Sequence, residues 1–314
     1  MVFLKNLKFK KINTISSYII DDESLNKVQS FYKIAPFPAY EKNESIGDIL
    51  FKGNKNDLAR SVKNKFQFNK CILEAGSGTC QLSTYFSIGT NNSIYALDGT
   101  LDSLQEGERF KLRAKLENLK LIHGDILTKL FNDEVFDFIW CNGVLHHTKD
   151  PYKGFVNLCG YLKKDGYILI GLYNRYGRLR TILRKHLSRL FITRKNREKF
   201  LLLFDPVLRK LSKNKEKNRM KISSWLRDQY FHPIESLHTI DEVLNWFHLN
   251  KIDFVSSIPQ SNYEDPETIN DKIFKKKTKT SFLDRVFIQL KMIFTSFGAE
   301  GGVFILIGKK NGNN

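Results

Sequence analysis

The chain has 314 residues, with 51 Lys and Arg against 33 Asp and Glu, and a formal net charge of +18. Hydrophobic residues make up 41% and aromatic residues 13%, which excludes collagen, coiled-coil and wholly disordered proteins. The apolar runs are shorter than the about 20 residues that a membrane-spanning helix needs, and no apolar stretch of a secretion signal follows the basic N-terminus. The four cysteines lack CxxC spacing. They indicate reduced thiols and favour a cytoplasmic location.

Residues 1–66 precede the regular part of the chain and are expected to form an N-terminal extension. Within it, the segment 31–40 is dense in aromatic residues and prolines. Prolines favour an extended segment, so Tyr32 and Tyr40 could close over a cofactor or an acceptor. The alternative is a strap packed against the outside of a sheet.

Residues 67–173 alternate short apolar runs with helical stretches, which is typical of a parallel α/β sheet. Between the runs, Thr100 can cap one helix, and Asp150 with Pro151 can begin another. The predicted strands of this part are 70–74, 93–97, 119–123, 136–141 and 167–173.

The regular pattern stops in residues 174–238, which we expect to form a helical insertion. Positions 174–221 contain 17 Lys and Arg against three acids, an excess of 14, whereas the other 266 residues carry a net charge of +4. Apolar residues recur at helical spacing over 179–191 with Arg and Lys on the other face, and Asp205-Pro206 predicts a break between two helices. The basic character of the chain therefore belongs to this insertion.

The α/β pattern resumes in residues 239–314. A capping box at Thr239 and Glu242 predicts a helix to about residue 249. A further helix is expected over 281–294, and strands over 252–258 and 302–308. The lysine-rich stretch 272–279 indicates a solvated loop.

Glu74, Gly76 and Gly78 follow the first predicted strand and precede a helix. Glycines at such a turn let the backbone bend tightly and let a ligand approach the main chain. Asp98 ends the second strand, where a carboxylate can accept from both hydroxyls of a ribose. Asp125 follows the third strand, where a carboxylate can accept from an adenine amino group. Ligands of parallel sheets bind at this carboxyl edge.

The motifs at the strand ends are Glu74-x-Gly76-x-Gly78, Asp98, Gly124-Asp125-Ile126 and the run from Phe136 through Leu145-His146-His147 to Asp150-Pro151. Together they resemble the class I S-adenosylmethionine-dependent methyltransferases, in particular the small-molecule-type, methyltransferase type 11/12-like subgroup. The resemblance is strong over about 71–173 and rests on element order alone over 239–309. It implies an α/β fold with a doubly wound, seven-stranded Rossmann-like sheet whose last strand is antiparallel.

The resemblance also implies S-adenosylmethionine as the cofactor. Its expected contacts are Gly76, Gly78 and Asn142 around the methionine part, Asp98 at the ribose, and Asp125 and Ile126 at the adenine. Glu74 is also expected to contact the cofactor. A nicotinamide-binding Rossmann unit is the alternative. It fits less well, because Gln81 stands where the third glycine of G-x-G-x-x-G would be.

Two histidines follow the fourth predicted strand at the ligand-binding edge. His146 is the candidate general base on the acceptor, because imidazole titrates near neutrality. The alternative for His146 is a structural role, either capping the next helix or packing under the cofactor. We expect such a structural role for His147.

The stretch 228–238 carries His232, Glu235 and His238 at intervals of three. A proline within it and the capping box after it predict a loop, so no helical face aligns the three side chains, and we expect no metal site. The segment should return to the site from the insertion. The candidate acceptor-binding residues are Tyr32, Tyr40, Tyr173, Asn174, His232 and His238.

The basic insertion has three interpretations: a cap over the acceptor pocket, a phosphate-facing surface, or an interfacial helix on anionic lipid. A cap is the least demanding, because its apolar stripe then has a core to pack against. The expected function is methyl transfer to a small, possibly anionic acceptor, either a metabolite or a lipid. The alternatives are an RNA methyltransferase that binds RNA through 174–221, and a membrane- or nucleic-acid-binding protein with a vestigial cofactor site.

Overall fold

The computed structural model describes residues 2–4, 6–18, 22–34, 40, 44–191, 193–214, 218–259, 273–294 and 302–312. The side chains of residues 24, 32–34 and 220 are outside this description. The strands of the described part are β1 (Lys10–Ile12), β2 (Ile15–Tyr18), β3 (Cys71–Ala75), β4 (Ser93–Asp98), β5 (Leu119–Gly124), β6 (Phe136–Asn142), β7 (Leu162–Tyr173), β8 (Ile252–Ile258) and β9 (Val303–Lys310).

These strands form one mixed sheet in the order β1-β2-β5-β4-β3-β6-β7-β9-β8. The strands from β2 to β7 pair in parallel, and β9 runs antiparallel between β7 and β8. The Rossmann-like order and the antiparallel last strand confirm the predicted fold class. The predicted number of seven strands is wrong, since the N-terminal extension adds the hairpin β1–β2, in which Ser16 lies opposite Ile122 on β5.

The predicted strands after residue 67 are all present. Most agree with the structure to within one or two residues, but β7 begins at Leu162 instead of 167. Its first residues, Lys163 to Asp165, are polar and largely exposed, so they carry no apolar strand pattern. The pairing of β6 with β7 is irregular between Phe136 and Phe138, which accommodates this extra length.

Of the capping residues named from the sequence, Asp150 and Thr239 cap their helices as expected, whereas Thr100 precedes the helix that begins at Leu101 without a side-chain cap hydrogen bond. The carboxylate of Asp150 accepts from the backbone N–H of Lys153 at 2.9 Å, and Thr239 with Glu242 forms the capping box. The α-helices of the described part are α1 (Glu23–Ile34), α2 (Ile46–Lys55), α3 (Asp57–Lys65), α4 (Gln81–Ser87), α5 (Leu101–Arg113), α6 (Pro151–Tyr161), α7 (Leu179–Ser188), α8 (Arg194–Phe204), α9 (Pro206–Ser212), α10 (Arg219–Leu226), α11 (Ile240–Leu249) and α12 (Phe282–Lys291).

Apolar side chains pack on both faces of the sheet, as alternation along each strand requires. On β3, Leu73 belongs to the cluster that contains Phe155 of α6 and Phe247 of α11. Its neighbour Ile72 belongs to the opposite cluster, which contains Phe86 of α4. The sheet is therefore covered by helices on both sides, with the strand ends free to form a site.

The insertion has a small apolar core of its own, formed by Leu201, Leu208, Ile222, Leu226 and Tyr230. Asp205 ends α8 and caps α9, as the Asp205-Pro206 sequence predicts. Its carboxylate accepts from the backbone N–H groups of the two residues after Pro206. The hydroxyl of Tyr230 donates to the same carboxylate at 2.5 Å. A search of the described residues for a helix of bilayer-spanning length and hydropathy finds none.

Candidate active site

A cavity of about 420 Å³ opens where β3, β4, β5 and β6 reach their carboxyl ends. This volume lies within the range of about 300–1,000 Å³ found for small-molecule sites. Every residue predicted to contact the cofactor lines it. These residues are Glu74, Gly76, Gly78, Asp98, Asp125, Ile126 and Asn142.

The turn after β3 is held against the end of β4. The backbone N–H of Gly76 donates to the carbonyl of Leu97 at 2.7 Å. Gly76 has φ +77°, and a Cβ built there would lie 2.2 Å from a methyl group of Val144. Only glycine therefore allows the turn this conformation and this approach to the loop after β6.

Asp98 accepts hydrogen bonds from two backbone N–H groups beside the cavity. One carboxylate oxygen accepts from the backbone N–H of Gly78 at 2.8 Å, and the other accepts from that of Thr100 at the same distance. Each oxygen retains a further acceptor position for a ligand hydroxyl. Burial raises the pKa of Asp98 above its ordinary value. The sequence prediction of a carboxylate at this position of the cavity agrees with this geometry.

Glu74 is a buried acid beside the first turn of α4. Its carboxylate accepts from both the backbone N–H, at 2.8 Å, and the hydroxyl of Ser83. Burial raises its pKa to about 8. A cationic group in the cavity would oppose this effect and favour the ionised form.

Asp125 and Asn142 provide two further polar groups. The carboxylate of Asp125 accepts from the backbone N–H of Leu127 at 2.9 Å, and burial raises its pKa. The side-chain oxygen of Asn142 is buried and has no hydrogen-bond partner among the described residues. Gly171 opposite lets this side chain fit, because a Cβ there would lie 1.7 Å from the oxygen. An unpaired buried acceptor lowers the stability of a protein by about 1–3 kcal/mol. A donor group of a bound ligand would supply the missing hydrogen bond.

His147 lines the same cavity from the short 3₁₀ turn Leu145–His147. Its Nδ1 lies 2.8 Å from the carbonyl oxygen of Ile234. A carbonyl can only accept, so Nδ1 carries the proton and Nε2 of the neutral ring has a free lone pair. Nε2 lies 4.0 Å from the carboxylate of Asp228. Burial lowers the pKa of His147 to about 4, which keeps the ring neutral near pH 7.

His146 is fully buried and does not belong to the cavity lining. Its Nδ1 accepts from the backbone N–H of Tyr173 at 3.3 Å, and the two rings stack at 3.9 Å. Its Nε2 has no hydrogen-bond partner among the described residues, and burial lowers its pKa well below the ordinary value. The catalytic role of His146 stays a prediction, but the structure places the other histidine at the cavity.

Tyr173 is the one candidate acceptor-binding residue whose described side chain lines the cavity. Its hydroxyl accepts from the side-chain amide of Gln229 at 2.8 Å and donates to Asp228 at 3.3 Å. The guanidinium of Arg178 lies 3.9 Å from the ring centre. Arg178 in turn donates to the carboxylate of Glu235 at 3.0 and 3.1 Å.

The other candidate acceptor-binding residues of the insertion lie behind the wall of the cavity. Asn174 is buried and accepts from the backbone N–H groups of residues 176 and 177 at 2.9 and 3.1 Å. The ring of His232 stacks on that of His147 at 3.6 Å. His238 lies 2.9 Å from the carboxylate of Glu242. His232, Glu235 and His238 thus contact different protein groups, and the expectation that they hold no metal stays a prediction.

Of the two candidates of the N-terminal extension, Tyr40 has a described side chain, and it lies away from the cavity. The hydroxyl of Tyr40 donates to the carbonyl of Thr79 at 2.9 Å, and its ring stacks on Phe110 at 5.3 Å. Tyr40 packs behind the glycine turn and does not line the cavity. The side chain of Tyr32 lies outside the described residues. A role for either in acceptor binding stays a prediction.

Sequence reasoning missed several residues of the lining. Asp228 and Ile234 reach the cavity from the insertion, and Asp22 reaches it from the extension, where it pairs with Lys149. The only signal for Asp228 was its place at the start of the stretch that carries three ligand-type side chains.

Lys149 is the one basic residue other than histidine in the lining. None of the Lys and Arg of 174–221 among the described residues lines the cavity.

More than half of the chain is similar to proteins of known family. A family model described as a methyltransferase domain matches residues 67–251, more than half of the chain. Demethylmenaquinone methyltransferases of Shouchella clausii and Listeria monocytogenes are 21% and 27% identical over 134 and 150 residues. The matches cover 41% and 47% of this chain and 57% and 61% of those proteins. The chain thus spans about three fifths of the length of these relatives.

A solved structure, PKMT2 from Rickettsia typhi, has a similar fold. The TM-score is 0.55 and the sequence identity 14%, over 88% of this chain and 55% of that one. At this identity the likeness concerns the fold alone.

Proposed function

Because the chain belongs to the methyltransferase domain family, we propose that it transfers a methyl group from S-adenosylmethionine to a small, lipophilic acceptor. The observation that carries the proposal is the composition of one cavity. All seven residues expected at the cofactor line it, together with a neutral histidine and the ring of Tyr173.

The residues present fit the cofactor. Asp98 holds two backbone donors and keeps acceptor positions for the ribose, and Asp125 with Ile126 lies where the adenine is expected. Asn142 has an unpaired buried oxygen, and Glu74 is a buried acid that a positive charge would ionise. When bound, S-adenosylmethionine supplies a methyl group on a sulfonium, which is already a strong electrophile. The chain therefore mainly aligns the acceptor and excludes water.

We assign the proton acceptor to Nε2 of His147. Nε2 would take the proton that the acceptor loses when its nucleophilic atom takes the methyl group of the sulfonium, whose sulfur would be left as a neutral thioether. Asp228, at 4.0 Å, stabilises the imidazolium that results. A pKa near 4 suffices, because methylation makes the acceptor's proton strongly acidic. His146, stacked on Tyr173, then acts as a positioning residue.

The lining also indicates the kind of acceptor. It contains the carboxylates of Asp22, Asp98, Asp125 and Asp228, with Lys149 paired to the first of these. Such a lining opposes an anionic acceptor, while Trp140 and several aliphatic side chains favour an apolar one. The quinone acceptor in the names of the curated relatives is of this kind. We therefore propose a neutral acceptor instead of the anionic one that the basic insertion suggests.

Two measurements test the proposal. Calorimetry should show one S-adenosylmethionine bound per chain. Labelled methyl groups should then pass from it to a demethylmenaquinone with a short side chain that has been reduced to the hydroquinone with dithionite, because the reduced ring is nucleophilic. Absence of cofactor binding in the folded protein would contradict the proposal. Label found in total RNA and not in the quinone would support the RNA methyltransferase instead.

A further inference from the structure

Helix α7 has its apolar side on the outside of the molecule. Leu179, Leu183 and Leu187, spaced by four residues, are 45%, 59% and 41% exposed, and Leu190 after the helix is 78% exposed. Residues at this spacing lie on one helix face. The inward positions include Thr181, which is only 4% exposed. The helix therefore does not use its leucines to pack on the insertion's core.

The exposed leucines continue into an aromatic group. Phe191, at the end of this segment, lies 5.3 Å from Phe200 of α8 between ring centres, and Phe200 lies 4.6 Å from Phe204. Phe191 and Phe204 are 39% and 55% exposed. A contiguous apolar area of this kind on the outside of a protein marks an interaction surface.

A second exposed apolar stripe lies on α12, next to the start of α7. Asn174, which lies between β7 and α7, donates to Gln289 of α12 at 2.9 Å, and a Cβ built on Gly177 would lie 3.3 Å from Met292 just after α12. Leu283 and Phe287 on α12 are 66% and 58% exposed, and Phe294 after the helix is 79% exposed. Two neighbouring elements thus expose large apolar side chains within the described structure.

Positive charge accompanies these leucines. Arg180 and Arg189 are exposed on α7 and at its end, and Arg194 and Lys195 begin α8. They belong to the segment 174–221 with its excess of 14 positive charges. Since none of these charges lines the cavity, the cavity does not account for them.

We propose that the α7 surface, formed by Leu179, Leu183, Leu187 and Leu190 with Arg180 and Arg189, docks on an anionic lipid bilayer. Leucines enter the boundary between headgroups and acyl chains, and arginines beside them bind the headgroup phosphates. This pairing distinguishes a bilayer from other occupants. Aliphatic leucines offer nothing to RNA, which is bound through phosphates and stacked bases. A second copy of the chain would bring two strongly positive segments together.

The inference goes beyond the proposed function and does not depend on it. Docking needs neither the cofactor nor an acceptor, so it can be measured on the protein alone. If docking fails while methyl transfer occurs, only the inference fails. If the protein docks but binds no cofactor, only the proposed function fails.

The test is cosedimentation of the full chain with large vesicles of phosphatidylcholine, with and without phosphatidylglycerol. We expect binding to the anionic vesicles only, weakened by added salt. Leu183→Ser with Leu187→Ser should weaken it by about tenfold or more, the change expected when one or two leucines no longer enter an apolar phase. Arg180→Glu with Arg189→Glu should weaken it as well.

Matched controls use similar residues outside the surface. Leu112→Ser changes a leucine of α5 that is 56% exposed, and Lys275→Glu with Lys279→Glu changes two exposed lysines of the loop before α12. Binding should be unchanged in both. The thermal unfolding midpoint of each variant shows whether it is folded.

If the serine variant is unstable, a tryptophan placed in the α7 surface can report contact with the bilayer. The fluorescence of Leu187→Trp should shift to shorter wavelength with anionic vesicles. No binding by the wild-type chain, or equal binding by the folded leucine variant, would overturn the proposal. So would a dimer or an RNA complex that the same substitutions abolish without any vesicle binding.

Discussion

The proposed cofactor side and the proposed acceptor side of the cavity are built in different ways. On the cofactor side, Glu74, Asp98, Asp125 and Asn142 each stand at or just after the end of a parallel strand, within one stretch of 69 residues. On the acceptor side, the wall comes from the end of β7, from the insertion and from the N-terminal extension. The sheet alone brings the residues of the first side together. The second side forms only when segments distant in sequence pack beside the end of the sheet.

The return of the insertion depends on a few backbone contacts. The N–H of Ser236 donates to the carbonyl of His146 at 2.8 Å, and that of His238 donates to the carbonyl of Tyr173 at 2.9 Å. These bonds place residues 234–238 beside the end of β7. The comparison teaches that the acceptor side should be separable from the cofactor side by mutation.

The largest effect is expected at His147. His147→Ala should lower methyl transfer to a short-chain demethylmenaquinone by about 10²–10⁴-fold, the range for loss of a general base. The affinity for S-adenosylmethionine should remain unchanged. Since the wild-type pKa is about 4, the ring is neutral above that value, and the rate should not fall between pH 8 and about pH 5 on account of this group.

Initial rates and calorimetry measure the two quantities for His147→Ala, and His248→Ala on the exposed part of α11 is the matched control. A wild-type rate in His147→Ala would remove His147 from the reaction. A comparable loss in His146→Gln alone would give the role of base to His146.

The buried pair Arg178–Glu235 should have the next largest effect. The side chains are 1% and 13% exposed, so Arg178→Met leaves a nearly buried carboxylate unpaired. Loss of one partner of a buried pair costs about 3–5 kcal/mol in free energy of unfolding. Acceptor methylation should fall with it, because Arg178 also supports Tyr173.

Chemical denaturation tests the Arg178 prediction. Adding Glu235→Gln to Arg178→Met should restore much of the stability. Arg194→Met breaks an exposed pair with Glu198 and should cost at most about 1 kcal/mol. An equally small cost for Arg178→Met would show that the acceptor wall does not depend on this pair.

On the cofactor side, Asp98→Ala should weaken S-adenosylmethionine binding by about 1–3 kcal/mol, since a charge-assisted contact to the ribose is lost. Part of the loss comes from the backbone N–H groups of Gly78 and Thr100, which lose their acceptor. Calorimetry compares the variant with Asp102→Ala in the first turn of α5. Unchanged affinity in folded Asp98→Ala would remove this residue from the site.

The smallest effect is the pH dependence that Glu74 confers. Its pKa is about 8 in the free protein, and a bound cationic cofactor favours the ionised carboxylate. Affinity should therefore rise with pH up to about pH 8, by at most about tenfold per pH unit, and binding should release protons. The stability of the free protein changes with pH in the opposite direction. The raised pKa means that stability contributed by neutral Glu74 is lost as the pH rises from 4.5 through about 8.

Calorimetry in buffers of different ionisation enthalpy counts the protons released. Glu74→Gln should abolish both the proton release and the pH dependence. If the wild-type affinity is the same at pH 6 and pH 8, Glu74 is not coupled to the charge of the cofactor.

The insertion shows where a sequence pattern can mislead. Its apolar stripe was expected to pack on a core, because an amphipathic helix of a globular protein normally does so. The structure instead exposes Leu183 and Leu187 and fills the insertion's core from α8, α9 and α10. Periodicity shows that one face differs from the other, but it carries no information on which face meets the protein.

The sequence is enough to predict the seven strands after residue 67 and the proposed cofactor side of the cavity. Alternating strands and helices bring the carboxyl ends of parallel strands to one edge, so Glu74, Asp98, Asp125 and Asn142 had to meet there. The tertiary structure alone decided the rest: the pairing of the N-terminal hairpin with β5, the neutral charge state of His147, and which of two adjacent histidines reaches the cavity. Successive residues of a tight turn point in different directions, and only contacts between distant segments select the one that faces the ligand.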